Sequence, residues 1–310
     1  MQIGILEPSD FSQKAVNKLK NIGNVSCFDG GNLDTFLHDK EILFIRLGHH
    51  INNNFLSKTE KLQYLCTPTT GFNHIDMNSV LKRNIIVVSL KGEDAFLSQI
   101  RATPEHAFGL VLALLRRYKY AFLTSGRSEW NRDKYKGEEL FGNIVGIIGF
   151  GRIGNILANW FHCFGAKVYF YDTKPSILKT EHAQRIDALD QMLALVNIVV
   201  LAASYSESNR QFLGKRYIDL LKGKYFVNIS RGELVDEKYL IEKIKKNFFK
   251  GVALDVIESE NSDNNLQVLL KLAEDKHLIL TPHIGGATYE SMRKTEEFIV
   301  DKLIEKLKKG

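Results

Sequence analysis

Residues 145–154 read Val-Gly-Ile-Ile-Gly-Phe-Gly-Arg-Ile-Gly, in which three glycines with the spacing Gly-x-Gly-x-x-Gly follow an apolar run. The spacing alone is a weak signal, because glycines also serve ordinary turns. Here the preceding run is typical of a buried strand, and the residues after the glycines form an amphipathic pattern that ends at Gly165. A strand, a glycine-rich turn and a helix in this order predict a site for the diphosphate of a dinucleotide.

Each glycine of this turn has its own expected role. Gly149 permits the tight turn, Gly151 lets a diphosphate approach the backbone, and Gly154 lets the helix pack closely on the strand. The next apolar run ends at Asp172, about 20 residues further on, where a carboxylate would bind the adenosine ribose and repel a 2′-phosphate. We therefore expect NAD rather than NADP. A turn without a ligand and a methyltransferase that binds S-adenosylmethionine are the competing interpretations.

Apolar runs alternate with amphipathic segments on both sides of this turn. Strands are predicted after it at residues 167–171, 197–201, 225–229, 252–256 and 278–280, and before it at residues 3–6, 25–28, 42–46, 64–67 and 85–89. Nearly continuous apolar strands that are separated by helix-length segments are typical of parallel sheets with helices on both faces. The sequence therefore predicts two α/β layers in one chain.

Composition excludes several classes of protein. The 310 residues include 42 Lys and Arg against 36 Asp and Glu, and this excess is not gathered as a nucleic-acid groove or a membrane patch would require. Three cysteines, Cys27, Cys66 and Cys163, are too few for a disulfide framework and lack metal-ligand spacing. The N-terminal residues lack the basic segment of a signal peptide. We expect a cytoplasmic protein with no metal, nucleic-acid partner or membrane partner.

Three apolar runs of the second layer are followed by residues that can do chemistry, namely Arg231, Glu260 and His283. Ligands of parallel α/β sheets bind at the carboxyl ends of the strands, so these side chains are expected to converge. An arginine suits the binding of a carboxylate, and a histidine held by an acid suits reversible proton transfer. A surface ion pair, a solvated loop and a core histidine are the respective structural alternatives.

Four motifs in this order resemble the D-isomer-specific 2-hydroxyacid dehydrogenase family, and within it the phosphoglycerate dehydrogenase branch. They are the glycine-rich turn, Asn-Ile-Ser-Arg-Gly-Glu-Leu-Val-Asp at 228–236, Gly-Val-Ala-Leu-Asp-Val at 251–256 and Thr-Pro-His-Ile-Gly-Gly-Ala-Thr at 281–288. A further match, Thr-Gly-Phe-Asn-His-Ile-Asp at 70–76, lies in the first layer, so the resemblance spans nearly the whole chain.

The resemblance implies a fold of two doubly wound parallel-sheet α/β domains. One is a flavodoxin-like substrate-binding domain formed by residues 1–97 and 287–310. The other is a Rossmann NAD-binding domain formed by residues 98–286.

The resemblance also implies an activity, which is hydride transfer between NAD(H) and a D-2-hydroxy acid/2-keto acid pair. Arg231 would bind the substrate carboxylate and polarise the keto oxygen. His283 would donate the proton in reduction and accept it in oxidation, and Glu260 would hydrogen-bond that histidine.

The binding residues that the resemblance implies fall into two sets. Those for NAD are Gly149, Gly151, Arg152, Ile153, Gly154, Asp172, Ile229, Ser230, Asp255, Gly285 and Gly286. Those for the substrate are Arg231 and the backbone amides around Leu47, Gly48 and Gly71.

Alternatives stay open for the substrate and for the partners. Phosphoglycerate, hydroxypyruvate, glyoxylate and a pathway-specific keto acid all remain candidate substrates. The polar residues of the first layer either bind a phosphate tail of the substrate or face water. These polar residues are Arg46, His49, His50, Asn73 and His74. An NAD(H)-sensing protein of the corepressor type is the non-enzymatic alternative. A homodimer is expected, and the apolar helix predicted at residues 107–118 is either its contact or part of the core.

Overall fold

The computed structural model describes residues 1–123, 131–174, 180–260 and 264–309. The chain divides into two compact units, Met1–Ile100 with Ala287–Gly310, and Arg101–Gly286. The domain boundaries expected from the sequence, after residues 97 and 286, stay a prediction. Within the described ranges, no helix combines the length and the apolar character needed to cross a bilayer. In the same ranges, no three or more His, Cys, Asp or Glu side chains are arranged to hold a metal ion.

The first unit is built on a five-stranded parallel sheet. Its strands are β1 (Gln2–Ile5), β2 (Asn24–Cys27), β3 (Ile42–Phe44), β4 (Tyr64–Cys66) and β5 (Ile86–Val88). Their spatial order is β2-β1-β3-β4-β5, which reverses direction beside β1 as a doubly wound sheet does. Its helices are α1 (Gln13–Lys20), α2 (Leu33–Leu37), α3 (Asn53–Leu56), α4 (Met77–Lys82), α5 (Asp94–Leu97) and the C-terminal helix Tyr289–Lys309.

Alternation along the strands gives this sheet two apolar faces. Ile5 and Phe44 face a core that includes α1 and the C-terminal helix, whereas Leu43 and Leu65 face a second core that includes α2, α3 and α4. The central strand β3 is therefore apolar throughout, because helices cover both sides.

The second unit is built on a seven-stranded parallel sheet. Its strands are β6 (Ile144–Ile148), β7 (Lys167–Tyr171), β8 (Gln184–Arg185), β9 (Ile198–Leu201), β10 (Tyr225–Asn228), β11 (Gly251–Leu254) and β12 (Leu278–Leu280). Its helices are α6 (Ala102–Leu115), α7 (Tyr118–Leu123), α8 (Arg152–Cys163), α9 (Leu189–Leu195), α10 (Lys215–Asp219), α11 (Glu237–Lys245) and α12 (Leu266–Asp275). The spatial order β12-β11-β10-β9-β6-β7-β8 reverses between β6 and β9, so the predicted pair of doubly wound α/β sheets is confirmed.

The apolar helix, which residues 103–105 are predicted to open and which is predicted to run to about residue 118, ends earlier in the structure. Helix α6 begins at Ala102 and ends at Leu115. Arg117 then adopts a left-handed backbone conformation, with φ of 54°, and α7 starts one residue later. A left-handed residue stops an α-helix, but the position usually favours glycine, which explains why the sequence did not reveal the break.

Candidate functional site

The order of the strands brings the predicted chemical residues to one edge of the second sheet. Strands β10, β11 and β12 are direct neighbours and parallel. Arg231, Asp255 and His283 follow the carboxyl ends of these three strands. Parallel strands end at the same edge of a sheet, which is where α/β proteins bind their ligands.

His283 and Glu260 form a direct pair at this edge. The Nδ1 atom of His283 lies 2.6 Å from the Oε2 atom of Glu260, and both side chains are partly exposed. A carboxylate only accepts hydrogen bonds, so the imidazole donates from Nδ1 and turns its Nε2 atom away from the pair. The two residues are 23 positions apart in the sequence, and the fold brings them into contact.

The backbone at His283 is held in an unusual conformation. Its φ of 53° lies in the left-handed region, which is uncommon for a residue other than glycine. Its amide donates to the carbonyl oxygens of Asp255, at 2.8 Å, and Thr281, at 3.0 Å. Such backbone strain persists only where the surroundings over-determine it, and these hydrogen bonds fix the loop that carries the imidazole.

The carboxylate of Asp255 organises the loop after β12. Its Oδ1 atom accepts from the Thr281 hydroxyl at 2.6 Å and from the Ile284 amide at 2.9 Å, and its Oδ2 atom accepts from the Gly285 amide at 2.8 Å. Burial alone would raise the pKa of Asp255, but hydrogen bonds from His106 and Thr281 outweigh it and hold that pKa below its usual value. Asp255 therefore stays ionised and holds the loop. Its expected contact with NAD stays a prediction.

His106 belongs to this network, although the sequence analysis did not single it out. Its Nε2 atom lies 3.1 Å from Asp255 Oδ1 and 3.1 Å from the Thr281 hydroxyl, which requires the ring to carry its proton on Nε2. Its signal in the sequence is a histidine at the start of the second turn of the apolar helix α6, directly after Glu105.

A buried carboxylate anchors the segment that carries Glu260. The Oε2 atom of Glu237 accepts from the Glu258 amide at 2.7 Å, and its Oε1 atom accepts from the Asn265 side chain at 2.8 Å. Glu237 is only 2% exposed, and burial raises its pKa. The two contacts hold the chain on either side of Glu260.

Arg231 is largely buried at the same edge of the sheet. Its Nη1 atom donates to the Ser230 carbonyl oxygen at 2.6 Å. The side-chain amide of Asn228 donates to the Arg231 carbonyl oxygen at 3.0 Å. Burial lowers the pKa of Arg231, and the negative charges of Glu260, Glu233 and Asp255 oppose that shift. A guanidinium keeps its charge through such a shift, so Arg231 offers a fixed cation at the strand edge. Ile229 and Ser230, which were predicted to contact NAD, are buried beside it.

The glycine-rich turn has the steric features that a diphosphate site needs. Gly149 has a φ of +92°, and a Cβ atom there would lie 2.4 Å from the backbone of Ala203. A Cβ atom at Gly154 would lie 2.3 Å from the carbonyl oxygen of Gly149, whereas one at Gly151 would meet open space. Gly151 is also the N-cap of α8, with no side chain bonded to the helix end. The first amides of α8, including those of Arg152 and Ile153, therefore begin a helix whose positive end suits an anion.

Asp172 follows β7, next to this turn. Its Oδ2 atom accepts from the Phe150 amide at 2.7 Å, and its Oδ1 atom accepts from the Lys174 amide at 2.8 Å. The carboxylate is thus fixed beside the glycine-rich turn and is partly exposed. This position suits an acid that recognises the ribose of a dinucleotide.

The predicted substrate residues of the first unit follow two neighbouring strands. Leu47 and Gly48 come after β3, and Gly71 comes after β4. The amide of Gly48 donates to Glu7 Oε1 at 2.6 Å, and the amide of Arg46 donates to Glu7 Oε2. An internal carboxylate therefore already accepts hydrogen bonds where the substrate carboxylate was expected.

Arg46 has a carboxylate partner as well. Its Nη2 atom lies 2.5 Å from Glu296 Oε1, and Glu296 is only 1% exposed. Burial raises the pKa of Glu296, while hydrogen bonds from the Ser12 amide and from Arg46 oppose that shift. Of the polar residues considered for a phosphate tail, Arg46 thus has its charge balanced within the first unit.

Comparison with known proteins points to the same family. Residues 108–285 match the NAD-binding domain of the D-isomer specific 2-hydroxyacid dehydrogenases. A D-3-phosphoglycerate dehydrogenase of Methanocaldococcus jannaschii is 28% identical over 99% of this chain and 58% of its own length. A glyoxylate reductase of Pyrococcus furiosus is 30% identical over 86% of this chain and 79% of its own length.

A solved structure supports the fold. The crystal structure of D-lactate dehydrogenase from Aquifex aeolicus, complexed with NAD and lactic acid, superposes with a TM-score of 0.82. The match covers 99% of this chain and 95% of that chain at 24% identity. The chain spans little more than half the length of the Methanocaldococcus jannaschii relative. On the family match and the shared architecture, the chain belongs to the D-isomer specific 2-hydroxyacid dehydrogenase family, with an NAD-binding domain.

Proposed function

We propose that this protein transfers a hydride between NAD(H) and a D-2-hydroxy acid/2-keto acid pair. The observation that carries the proposal is the 2.6 Å contact between His283 Nδ1 and Glu260 Oε2, at the strand edge that also carries the largely buried Arg231. A proton donor, its carboxylate partner and a fixed cation are the groups that the reduction of a keto acid requires.

The second unit has the features to hold NAD. Gly149, Gly151 and Gly154 provide the turn, the open approach and the close packing, the start of α8 would face the diphosphate, and Asp172 would bind the adenosine ribose. Gly285 and Gly286, in the loop fixed by Asp255, and the buried Ile229 and Ser230 would line the nicotinamide end. When bound, NAD supplies the carbon that donates or accepts the hydride.

His283 would move the proton. Because its Nδ1 atom donates to Glu260, the Nε2 atom is the one that faces a substrate oxygen. In reduction, Nε2 gives its proton to the oxygen as negative charge develops there, and in oxidation it takes that proton back. Glu260 stabilises the imidazolium form and fixes the orientation of the ring, as the carboxylate of a catalytic triad does.

Arg231 would bind the substrate carboxylate. Its guanidinium can form two parallel hydrogen bonds with a carboxylate, and its positive charge also favours the developing alkoxide. The Gly48 amide already donates a hydrogen bond to Glu7, so Arg231 would provide most of the binding of the substrate carboxylate. Leu47 and Gly71 would contribute shape and backbone contacts.

We propose a small, unphosphorylated keto acid as the preferred substrate. The balanced charge of Arg46 and the position of Glu7 both disfavour a second anionic group near the loop after β3. This favours glyoxylate or hydroxypyruvate over phosphohydroxypyruvate, although a relative of each kind is similar to this chain.

The experiment is a spectrophotometric assay of NADH oxidation with glyoxylate, hydroxypyruvate, pyruvate and phosphohydroxypyruvate. Turnover with the unphosphorylated acids, at a higher kcat/KM than with phosphohydroxypyruvate, is the expected result. A higher kcat/KM with phosphohydroxypyruvate would overturn the substrate preference alone. Tight NADH binding with no turnover of any keto acid would overturn the enzymatic proposal and favour a nucleotide-sensing protein.

A homodimer is our proposal for the assembly. Large apolar side chains are exposed on the second unit, among them Phe122, Phe141 and Phe164, which are 68%, 73% and 54% exposed. A contiguous exposed apolar patch marks an association surface, and the ring of Phe141 lies against Gly165, next to Phe164. Light scattering should give twice the chain mass, and Phe141→Ser with Phe164→Ser should give the monomer. The three cysteines are free, which fits our proposal of a cytoplasmic location, a reducing compartment.

A further inference from the structure

A cavity lies at the opposite end of the seven-stranded sheet from His283. It has a volume of about 620 Å³, and its lining includes Tyr225, Gly251 and His277, at or just before the first residues of β10, β11 and β12. Glu260, His283 and Arg231 follow the other ends of the same strands. The volume is within the roughly 300–1,000 Å³ range of sites for small ligands.

Two residues that line this cavity each have a buried nitrogen atom with no hydrogen-bond partner among the residues that the structure describes. These atoms are Arg117 Nε and His277 Nε2. A buried polar atom without a partner destabilises the fold, and folded proteins rarely keep one without a reason. Two such atoms beside one cavity point to a ligand that satisfies them.

The backbone of Arg117 adds an independent observation. Its φ of 54° places it in the left-handed conformation just after α6, where glycine is the common residue. An arginine in this conformation is strained, and such strain is typical of residues with a functional role. We therefore expect the side chain of Arg117 to have a role. That side chain lies over the ring of Tyr120, with 5.3 Å from Cζ to the ring centroid.

His277 presents a hydrogen-bond acceptor beside the cavity. Its Nδ1 atom donates to the Lys250 carbonyl oxygen at 2.8 Å. Burial lowers the pKa of His277, and the positive charges of Arg117 and Lys119 lower it further. The Nε2 atom of the neutral ring therefore accepts a hydrogen bond, which a hydroxyl group or a protonated phosphoryl oxygen can donate.

The charges of the lining favour an anion. Arg117, Lys136, Lys250 and Lys276 outnumber the two acids of the lining, Glu138 and Asp275. Lys250 pairs with Glu138 at 2.8 Å. The side chain of Lys276 donates to Asn247 at 2.9 Å, and Lys136 lies 2.8 Å from Asp133.

We propose that this cavity is a second binding site, for a small anion that carries a phosphoryl or carboxylate group. The guanidinium of Arg117 donates to its oxygens, the Nε2 atom of His277 accepts from its hydroxyl or protonated phosphoryl oxygen, and the rings of Tyr120 and Tyr225 form the walls. The site is distinct from the NAD site and needs no residue of the proposed catalytic set.

The test is calorimetric titration of the full chain, saturated with NAD so that its diphosphate site is filled. Inorganic phosphate and citrate are the two probes, at an ionic strength held constant with sodium chloride. Saturable binding of phosphate alone identifies a phosphoryl site, and of citrate alone a carboxylate site; either result supports the proposal. No saturable binding of either probe overturns it.

Arg117→Gly is the decisive variant, because glycine relieves the left-handed strain while removing the cation. We expect binding at least about tenfold weaker together with an equal or higher Tm. His277→Gln should weaken binding as well. Lys222→Gln, which removes one exposed cation of the same unit outside the cavity, is the matched control and should bind like the wild type. Unchanged binding in Arg117→Gly would overturn the site.

Discussion

The imidazole of His283 donates from Nδ1 to the carboxylate of Glu260 across 2.6 Å. Glu260 precedes α12 and His283 follows β12, and the fold brings them together at one sheet edge. Because the pair fixes which nitrogen of the ring faces the substrate, it determines how the proposed proton transfer works.

The carboxylate of Glu260 can be tested by its removal. In Glu260→Gln we expect kcat to fall about 100-fold, at the low end of the range for general acid–base catalysis, because the neutral amide no longer stabilises the imidazolium. The dissociation constant of NADH should not change. Stopped-flow kinetics measure kcat, and fluorescence titration measures the dissociation constant of NADH. Glu242→Gln, an exposed acid on α11, is the control, and an equally impaired control would assign the loss to general charge effects.

The preference for NAD should depend on Asp172. The variant Asp172→Asn keeps an oxygen for the Phe150 amide but removes the charge that repels a 2′-phosphate. The ratio of kcat/KM with NADH to that with NADPH should fall on the order of tenfold, which corresponds to about 1.4 kcal/mol. The same ratio in wild type and variant would refute the role of this carboxylate in cofactor choice.

Acid should release the loop that Asp255 holds. The pKa of Asp255 is lower in the folded protein than its ordinary value of 3.8, so its ionised form adds stability at neutral pH. That stability is fully present above the ordinary value and is lost as the pH falls through the lower folded value.

Urea unfolding of wild type and Asp255→Asn at several pH values measures this contribution. We expect the variant to be less stable at pH 7 by about 2 kcal/mol, a typical value for hydrogen bonds to a charged group. The difference should shrink below the ordinary value of 3.8. A difference that stays constant into strong acid would show that the charge of Asp255 is not what holds the loop.

The pairing of Glu7 with the first-unit amides predicts a structural effect. Glu7→Gln should lower the free energy of unfolding by about 1 kcal/mol, because the amides of Arg46 and Gly48 lose a charged acceptor. KM for the keto acid should not change, since Arg231 provides the carboxylate binding. A lower KM in the variant would instead show that Glu7 competes with the substrate for these amides.

Sequence patterns predicted the fold because strand periodicity and the glycine-rich turn are local properties. The runs at β7 and β12 match the observed strands residue for residue, since each is bounded by turn residues. The short strand β8 was not predicted, because two residues are too few to show alternation. The break at Arg117 was missed, since no pattern reports a left-handed arginine.

The candidate site was only partly predictable. Arg231, Glu260 and His283 follow strands, and neighbouring parallel strands end together, so their placement on one edge followed from order alone. The contacts of His106 with Asp255 and of Glu7 with Gly48 join distant parts of the chain. Such contacts depend on the packing of helices and loops against the sheet, and neither residue type nor spacing predicts them.

The central claim is that His283 moves the proton in hydride transfer. The most direct measurement is the rate of NADH oxidation by His283→Ala, with the best keto acid of the panel, alongside fluorescence titration of NADH binding. We predict a rate at least about 100-fold below that of the wild type with an unchanged dissociation constant for NADH. A rate like that of the wild type would remove His283 from the reaction and contradict the account.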